Sequence, residues 1–171
     1  MTISLQDKVI WITGASGGIG EALAKQFSAA GAKVVLSARR KTELERVQQS
    51  LPHPERHLTV PLDICDEPAQ QQALDKIIHH YGRLDWLINN AGIFQHEQLG
   101  NIDYESVQQQ FLVNAEAPLR VTEALLDNLA SGAKIAFITS RMGSIADNSS
   151  GGYYGYRMSK AALNAAAMSL T

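Results

Sequence analysis

Short apolar runs alternate with helix-length amphipathic stretches along the whole chain. This alternation is typical of a parallel sheet whose two faces are both covered by helices. The sequence therefore predicts an α/β, doubly wound fold in one domain over residues 1–171. The predicted strands are Val9–Ile12, Lys33–Ala38, His57–Pro61, Trp86–Ile88 and Lys134–Thr139. The predicted helices are Glu21–Ala30, Lys41–Leu51, Pro68–His80, Tyr104–Leu129 and a last one from Tyr154 to the end.

The composition argues against several classes of protein. The 171 residues carry a net charge of −2, and acidic and basic residues are interspersed, which argues against a nucleic-acid surface or a polybasic membrane anchor. No apolar run approaches the ~20 residues that span a bilayer, and the N-terminus has no secretory pattern. Cys65 is the only cysteine, so intrachain disulfides are excluded and a cytoplasmic location is predicted.

Tyr156 and Lys160 stand four residues apart, which places both side chains on one face of a helix, one turn apart. A phenol titrates near pH ~10 and exchanges protons poorly at neutral pH, but a nearby ammonium favours its ionised form. The pair is therefore a candidate acid/base device. The same spacing also occurs by chance on exposed amphipathic helices. Neither Tyr153 nor Tyr154 has a lysine four residues on.

Other motifs precede this pair in order. They are the glycine-rich segment 13–20, then Asn89-Asn90-Ala91-Gly92, then Asn114, then Ser140. The ordered set resembles the short-chain dehydrogenase/reductase family over residues 7–171, and the loop after Ser140 resembles that of the C-factor-like and sniffer-like carbonyl reductases. The resemblance implies a Rossmann-type sheet, a nicotinamide cofactor, hydride transfer between the cofactor and a carbonyl or alcohol, and no metal ion.

The glycine-rich segment directly follows a predicted strand and opens a helix. In that context, backbone amides and the helix N-terminus hold a pyrophosphate. The alternative is an ordinary strand-to-helix turn. The residues expected to contact the cofactor here are Gly14, Ser16, Gly18, Ile19 and Gly20.

The end of the second strand, Ser37-Ala38-Arg39-Arg40, indicates which cofactor is used. An acid at this place binds the ribose 2′-hydroxyl of NAD, whereas an arginine accommodates the 2′-phosphate of NADP. Ala38 stands where NAD-preferring relatives carry the acid, so we expect NADP over NAD, with Ser37, Arg39 and Arg40 in contact. Against this, both arginines could be solvated surface charges, and the glycine segment lacks the basic residue of many NADP-preferring relatives.

Two further segments are expected at the cofactor. The resemblance assigns an adenine contact to Asp63, although this residue could also cap the helix that begins near Pro68. The motif Asn90-Ala91-Gly92 is expected to touch the cofactor, whereas Asn89 is expected to be structural.

Asn114 lies four residues before Pro118 in a predicted helix. Proline has no amide hydrogen, so the bond from residue 118 to the carbonyl of Asn114 cannot form, and we expect the helix to be kinked there. The matching asparagine of the family holds a water in a proton relay to the active-site lysine. The alternative is an exposed polar residue in a kinked helix.

Ser140 ends the predicted fifth strand, at the carboxyl edge where open parallel sheets bind ligands. Its hydroxyl can polarise a substrate carbonyl; Thr139 and Ser144 are the competing candidates. The resemblance implies that Tyr156 transfers the proton, that Lys160 lowers the pKa of Tyr156 and holds the nicotinamide ribose, and that Asn114 completes the proton path. The pocket's near wall is expected to include Ile93, Phe94, Gln95, Met142 and Tyr153.

The chain stops at Thr171 in an apolar helical stretch, whereas a right-handed crossover should lead to a sixth strand. The fold is therefore expected to be incomplete at its C-terminus. Two alternatives to an active reductase follow, a non-catalytic nucleotide-binding domain and an inactive fragment of a longer reductase. Relatives commonly form dimers or tetramers through the helices that hold Asn114 and Tyr156, so a homodimer or homotetramer is expected.

Overall fold

The computed structural model describes residues 4–170, and its centre is a five-stranded sheet in which every strand pair is parallel. The strands are β1 (Val9–Thr13), β2 (Lys33–Ala38), β3 (Leu58–Pro61), β4 (Leu84–Asn89) and β5 (Leu129–Phe137). Their order is β3-β2-β1-β4-β5. The chain thus winds outwards from β1 to one edge and then from β4 to the other, which confirms the predicted doubly wound, Rossmann-type sheet.

Six α-helices accompany the strands in the described part of the chain. They are α1 (Gly18–Ala29), α2 (Lys41–Gln49), α3 (Glu67–Tyr81), α4 (Tyr104–Phe111), α5 (Ala117–Leu125) and α6 (Tyr154–Met168). Short 3-10 turns lie at Pro54–Arg56, Leu126–Asn128 and Arg141–Gly143. Among residues 4–170, no helix is long and apolar enough to cross a membrane.

Two hydrophobic cores lie on opposite faces of the sheet, because successive side chains of a strand point to opposite sides. Val9 and Trp11 of β1 belong to a core that contains side chains of α3 and α5. Ile10 and Ile12 belong to a second core with side chains of α1 and α2. This arrangement explains the continuous apolar sequence Val9–Ile12: all five residues of β1 are buried, so both of its faces pack in a core.

The stretch 104–129, predicted as one helix, consists of two helices joined by a π-helical turn at Leu112–Glu116. In this turn the amide of Ala117 donates to the carbonyl of Leu112, five residues back. Pro118 follows directly and cannot donate an amide hydrogen. Where Pro118 predicted a kink, the structure has this π-helical turn, and Asn114 lies fully buried in it.

The predicted end of that helix is wrong. Leu129 continues the helical spacing of Leu125, but it opens β5 and pairs with Leu84 of β4. Strand β5 also ends at Phe137 and not at Thr139, so Ser140 lies three residues beyond the strand. Strand β5 begins at Leu129, five residues before the predicted Lys134. The remaining boundaries shift by three residues or fewer; α1, for example, begins at Gly18 and not at Glu21.

The start of β3 differs from the prediction for a physical reason. The backbone of His57 is outside the strand, but its ring reaches β2, where Nδ1 accepts a hydrogen bond of 3.1 Å from the amide of Val34. Because an amide can only donate, the ring proton must lie on Nε2, which is 2.9 Å from the carbonyl of Pro52. The ring is 5% exposed, and its burial lowers the pKa of His57.

Candidate active site

The carboxyl ends of β1, β2, β3 and β4 open into one cleft of about 920 Å³. This is the edge at which doubly wound sheets bind their ligands. Many of the predicted cofactor residues line the cleft, namely Gly14, Ser16, Ile19, Ser37, Arg39, Arg40, Asp63, Asn90, Ala91 and Gly92. Gly18 and Gly20, also predicted, do not line it, and neither do Tyr156 and Lys160. The sequence did not single out Leu62, Ile64, Gln109 and Val113, which line it as well.

The glycine-rich turn is held so tightly that two of its glycines cannot be replaced without movement. Gly14 has φ +67°, in the left-handed region. A Cβ on Gly20 would lie 2.4 Å from the carbonyl oxygen of Gly14. The side-chain amide of Asn90 donates to the carbonyls of Thr13 and Gly14, at 3.0 and 3.1 Å. Asn90 therefore fixes the turn from the neighbouring strand.

Thr13 is a residue whose role the sequence did not predict. Its buried Oγ1 accepts hydrogen bonds from the amides of Asn90 and Ala91, each at 3.0 Å. The bonds join the ends of β1 and β4 at the point where the glycine turn and the Asn90 segment meet. The only sequence signal was its place directly before Gly14, because its partners lie more than 75 residues away.

Two predicted cofactor residues have side chains that are already engaged. The hydroxyl of Ser37 is buried and accepts a hydrogen bond of 2.8 Å from the indole of Trp11. Asp63 accepts from the amide of Cys65 at 3.0 Å. The alternative role of Asp63 as a helix cap falls to Asp66, which accepts from the amide of Ala69 at the start of α3.

Arg39 and Arg40 are exposed at the cleft, and neither guanidinium makes a hydrogen bond or ion pair within residues 4–170. Arg46 differs: it bonds Glu21 at 2.8 Å and the carbonyl of Ser16 at 3.4 Å. Hydrogen bonds from Arg46 and Lys25 lower the pKa of Glu21 to about 2. Arg46 thus fastens α2 to the glycine turn, whereas the two arginines at the end of β2 keep their donors available.

Asn114 is fully buried and uses its whole side-chain amide. Oδ1 accepts from the amide of Ile93 at 2.8 Å, and Nδ2 donates to the carbonyl of Ile93 at 2.9 Å and to the hydroxyl of Ser159 at 3.0 Å. One residue therefore joins the π-helical turn to the loop after Gly92 and to α6. Ile93 and Ser159 were not predicted as its partners.

Lys160 belongs to α6, its ammonium reaches the residue that follows β5, and it is 4% exposed. Its ammonium donates to the carbonyl of Ile138 at 2.9 Å, and burial lowers the pKa of Lys160. A Cβ on Gly92 would lie 3.2 Å from Oδ1 of Asn114 and 3.7 Å from Nζ of Lys160. Because Gly92 has no side chain, the backbone that lines the cleft passes close to the ammonium of Lys160.

The ring of Tyr156 lies beside this lysine, with its centroid 5.8 Å from Nζ. Its other neighbour is Phe94, whose ring stands edge-on to it at 4.7 Å. No hydrogen bond reaches the hydroxyl of Tyr156 from any residue in the described range 4–170. The predicted pair is thus assembled on one face of α6, and the phenol's hydroxyl is left available.

The hydroxyl of Ser140 accepts from the amide of Met142 at 3.1 Å and so caps the 3-10 turn that begins at Arg141. The turn packs on α6 so closely that a Cβ on Gly143 would lie 2.8 Å from the backbone carbon of Lys160. Of the competing hydroxyls, Thr139 donates to Asn164 and Ser144 accepts from Asp147. The 3-10 turn after Ser140 packs beside α6, but no hydrogen bond joins Ser140 to Tyr156 among the residues that the structure describes.

The comparisons with known proteins agree with this geometry. The family model of the short chain dehydrogenases matches residues 8–171. The chain belongs to the short-chain dehydrogenase/reductase family. The predicted resemblance is therefore confirmed. Within residues 4–170, no group of three or more His, Cys, Asp or Glu could hold a metal ion.

Two curated proteins are similar to parts of the chain. It is 52% identical over 93 residues to the C-signal of Myxococcus xanthus, covering 53% of this chain and 56% of that protein. It is 34% identical over 157 residues to the human dehydrogenase/reductase SDR family member 7, covering 87% of this chain and 46% of that one. The chain thus spans about half the length of these curated relatives.

A solved structure shows the same fold. A short-chain dehydrogenase from Burkholderia cenocepacia, in complex with NADP, superposes with a TM-score of 0.89 at 29% identity. The match covers 98% of this chain and 69% of that one.

Proposed function

We propose that this protein is an NADP-dependent oxidoreductase that transfers a hydride between nicotinamide and a carbonyl or alcohol substrate. The observation that carries the proposal is the buried ammonium of Lys160, which lies beside the ring of Tyr156 and approaches the cleft through Gly92. When bound, the nicotinamide cofactor supplies the hydride chemistry. The residues of the chain bind it, orient the substrate and move the proton.

The cleft fits such a cofactor. The N-terminus of the twelve-residue helix α1 follows the glycine turn, and amides in this setting hold a pyrophosphate. Asp63, Asn90, Ala91 and Gly92 stand along the same edge. Gly17 and Gly18 have nothing within 4 Å of an added Cβ, so the side of the turn that they face is open.

NADP is proposed over NAD because of the end of β2. Arg39 and Arg40 present guanidinium groups at the cleft with their donors uncommitted among the described residues, and no acid stands at Ala38. A guanidinium donates paired hydrogen bonds that match a phosphate. The Burkholderia relative was solved with NADP, which is in keeping with this choice.

In the reduction direction, Tyr156 would donate its hydroxyl proton to the substrate oxygen. Lys160 would stabilise the phenolate that remains and hold the nicotinamide ribose. Ser140 accepts from the amide of Met142 and so keeps its own hydrogen to donate to the substrate oxygen. Asn114 would complete the proton path through its backbone carbonyl, to which Pro118 cannot donate.

The test is calorimetric titration of the 171-residue chain with NADPH and with NADH, followed by turnover assays on aldehydes and ketones. We expect NADPH to bind more tightly and to be oxidised by a carbonyl substrate. Tight NADPH binding without any turnover would favour a non-catalytic nucleotide-binding protein. One observation favours this alternative: among the described residues, β5 pairs only with β4, so no strand lies along its outer edge beside the proposed catalytic residues.

A homodimer or homotetramer is proposed as the assembly. Tyr104 and Leu119, on α4 and α5, are 70% and 40% exposed, and apolar side chains at such positions are often covered by a second copy. Analytical ultracentrifugation tests this, and a monomer at micromolar concentration would contradict it. A cytoplasmic location and one domain over residues 1–171 remain predictions of the sequence.

A further inference from the structure

An exposed aromatic cluster stands beside the proposed proton donor. The rings of Phe94 and Tyr153 are stacked, 5.1 Å apart and inclined by 26°, and Phe94 also meets the ring of Tyr156. Phe94 is 54% exposed. Moving the surface of an exposed aromatic ring out of water, for instance against a ligand, is favourable. The cluster thus offers apolar surface next to the hydroxyl that would act on a substrate.

Tyr153 adopts a backbone conformation that a tyrosine normally avoids. Its φ of 55° and ψ of 44° lie in the left-handed region, directly after Gly151 and Gly152 at φ 62° and 64°. For a non-glycine residue this conformation is strained, and such strain concentrates at ligand sites. Its amide donates to the carbonyl of Glu97 at 3.2 Å, and its ring contacts Phe94 and His96. The tertiary structure therefore holds this ring in place against its local preference.

Arg157 holds the turn that carries Tyr153. Its Nε donates to the carbonyl of Gly152 at 3.1 Å, and its Nη2 donates to the hydroxyl of Ser150 at 2.8 Å. Longer bonds reach the carbonyls of Gly151 and Met142. One guanidinium thus ties both ends of the loop between Ser140 and Tyr156 to the first turn of α6.

The charged groups nearest the cluster are already hydrogen-bonded to neutral groups of the protein. The carboxylate of Glu97 is 2% exposed, accepts from the amide of Gly155 at 3.2 Å and is also bonded by Gln110. Lys160 donates to the carbonyl of Ile138, and Arg157 donates to the carbonyl of Gly152. The carboxylate of Glu97 and the guanidinium of Arg157 are thus held by groups of the protein itself, so the surface favours an uncharged ligand.

We propose that Phe94 and Tyr153 bind the flat, uncharged aromatic or conjugated group of the carbonyl substrate, and that Arg157 is a positioning residue for this surface. The inference rests on the proposed function, because it names the substrate class of the same site. A ring packed on Phe94 lies next to Tyr156, which places an attached carbonyl near the hydroxyl. Aromatic pairs gain affinity beyond the area that they bury, so the surface discriminates an aromatic from an aliphatic ring of similar size.

The test compares the binding of acetophenone with that of cyclohexyl methyl ketone, two neutral ketones whose rings differ in aromaticity. Their dissociation constants for the chain are measured by NMR titration, without turnover. We expect acetophenone to bind about two- to tenfold more tightly. Phe94→Leu keeps an apolar side chain at an exposed position and should bring the ratio close to one. Ile145→Ala, at a 91% exposed position in the loop, is the matched control and should leave the ratio unchanged.

Arg157→Lys keeps the charge but loses the planar guanidinium that bonds Gly152 and Ser150. It should therefore reduce the preference for acetophenone over cyclohexyl methyl ketone, while NADPH affinity stays unchanged. Equal binding of the two ketones, no binding of either, or an unchanged ratio in Phe94→Leu would overturn the proposal. Because binding is measured apart from turnover, the two hypotheses fail separately. A preserved ratio without NADPH oxidation contradicts only the proposed function, whereas turnover without a ratio contradicts only the aromatic surface.

Discussion

The two halves of the sheet are held in different ways. In the nucleotide half (β1 to β3 with the glycine turn), β1 is buried along its whole length and hydrogen-bonded on both sides. In the reacting half (β5, the loop after it and α6), no residue of β5 is classed as buried, and β5 pairs only with β4. Just before β3 begins, the ring of His57 accepts the hydrogen bond from the amide of Val34 in β2. The outer edge of β5, by contrast, has no strand beside it in the described residues.

This difference suggests how function is divided. The nucleotide half is fixed by bonds within the sheet, such as those of Thr13 and Asn90, so it can bind a cofactor as a preformed cleft. The reacting half is positioned by contacts outside the sheet, from the π-helical turn through Asn114 and from the loop through Arg157. We therefore expect substitutions in the reacting half to separate catalysis from cofactor binding, and substitutions in the nucleotide half to affect binding first.

The largest effect is expected from Tyr156→Phe. Loss of a general acid lowers the rate by about 10²- to 10⁴-fold. The ring would keep its contacts with Phe94 and Lys160, and the lost hydroxyl has no hydrogen-bond partner within residues 4–170. NADPH affinity and the unfolding temperature should therefore stay close to those of the wild type. Retained turnover would contradict the role of Tyr156, and lost NADPH binding would contradict the separation of the two halves.

A substitution in the glycine turn should act on binding and stability together. In Gly20→Ala the new Cβ would meet the carbonyl oxygen of Gly14 at 2.4 Å, and crowding of this kind costs about 1–3 kcal/mol. We expect a lower free energy of unfolding in urea and weaker NADPH binding by calorimetry.

Gly17→Ala is the matched control for this turn. Its φ of 174° is extended backbone, and an added Cβ has nothing within 4 Å. Its free energy of unfolding should match that of the wild type. Equal stability losses at both positions would mean that the turn is not packed as described.

Arg39→Ala should weaken NADPH binding and leave NADH binding unchanged, because only NADPH carries a 2′-phosphate. A hydrogen bond between charged groups contributes about 1.5–3 kcal/mol, and solvent around this exposed side chain reduces the effect. We expect a loss of about three- to tenfold, measured by calorimetry. Arg46→Ala is the comparison, since its guanidinium is bound to Glu21. Equal losses of affinity for NADPH and NADH in Arg39→Ala would contradict the proposal that Arg39 binds the 2′-phosphate.

The smallest effect is expected on the pH dependence of stability, through His57, which directly precedes the edge strand β3. Burial holds the pKa of folded His57 below its ordinary value of 6.5. As the pH falls from 6.5 towards that lower pKa, the unfolded chain binds a proton that the folded protein does not. The contribution of His57 to the free energy of unfolding is therefore fully present above pH 6.5. Within this window it falls by up to ~1.4 kcal/mol for each pH unit of acidification.

The pKa of the ring is measured by NMR, and the pH dependence by urea unfolding. His57→Gln should flatten the acid limb of the stability profile, whereas His53→Gln, at an exposed site, should not. A folded-state pKa at or above 6.5 would contradict the prediction.

Local features of the fold could be predicted because they depend on neighbours in the chain. The glycine turn follows from residues that need a left-handed or side-chain-free backbone. The missing amide of Pro118 predicted an irregular helix near Asn114, but not that it would be a π-helical turn. The end of the helix before β5 could not be predicted in this way. Leu129 fits helical spacing, and only its pairing with Leu84, 45 positions earlier, makes it a strand residue.

The sequence by itself determined the doubly wound sheet, the position of the glycine turn and the pairing of Tyr156 with Lys160 on one helical face, because periodicity and spacing act within a few residues. The tertiary structure alone decided that Thr13 joins β1 to β4, that Asn114 bonds Ile93 and Ser159, and that Tyr153 is held in a strained conformation on Phe94. Most of these contacts join residues that are far apart in sequence. Their geometry exists only after the cores on both sides of the sheet have formed, so no local pattern could reveal it.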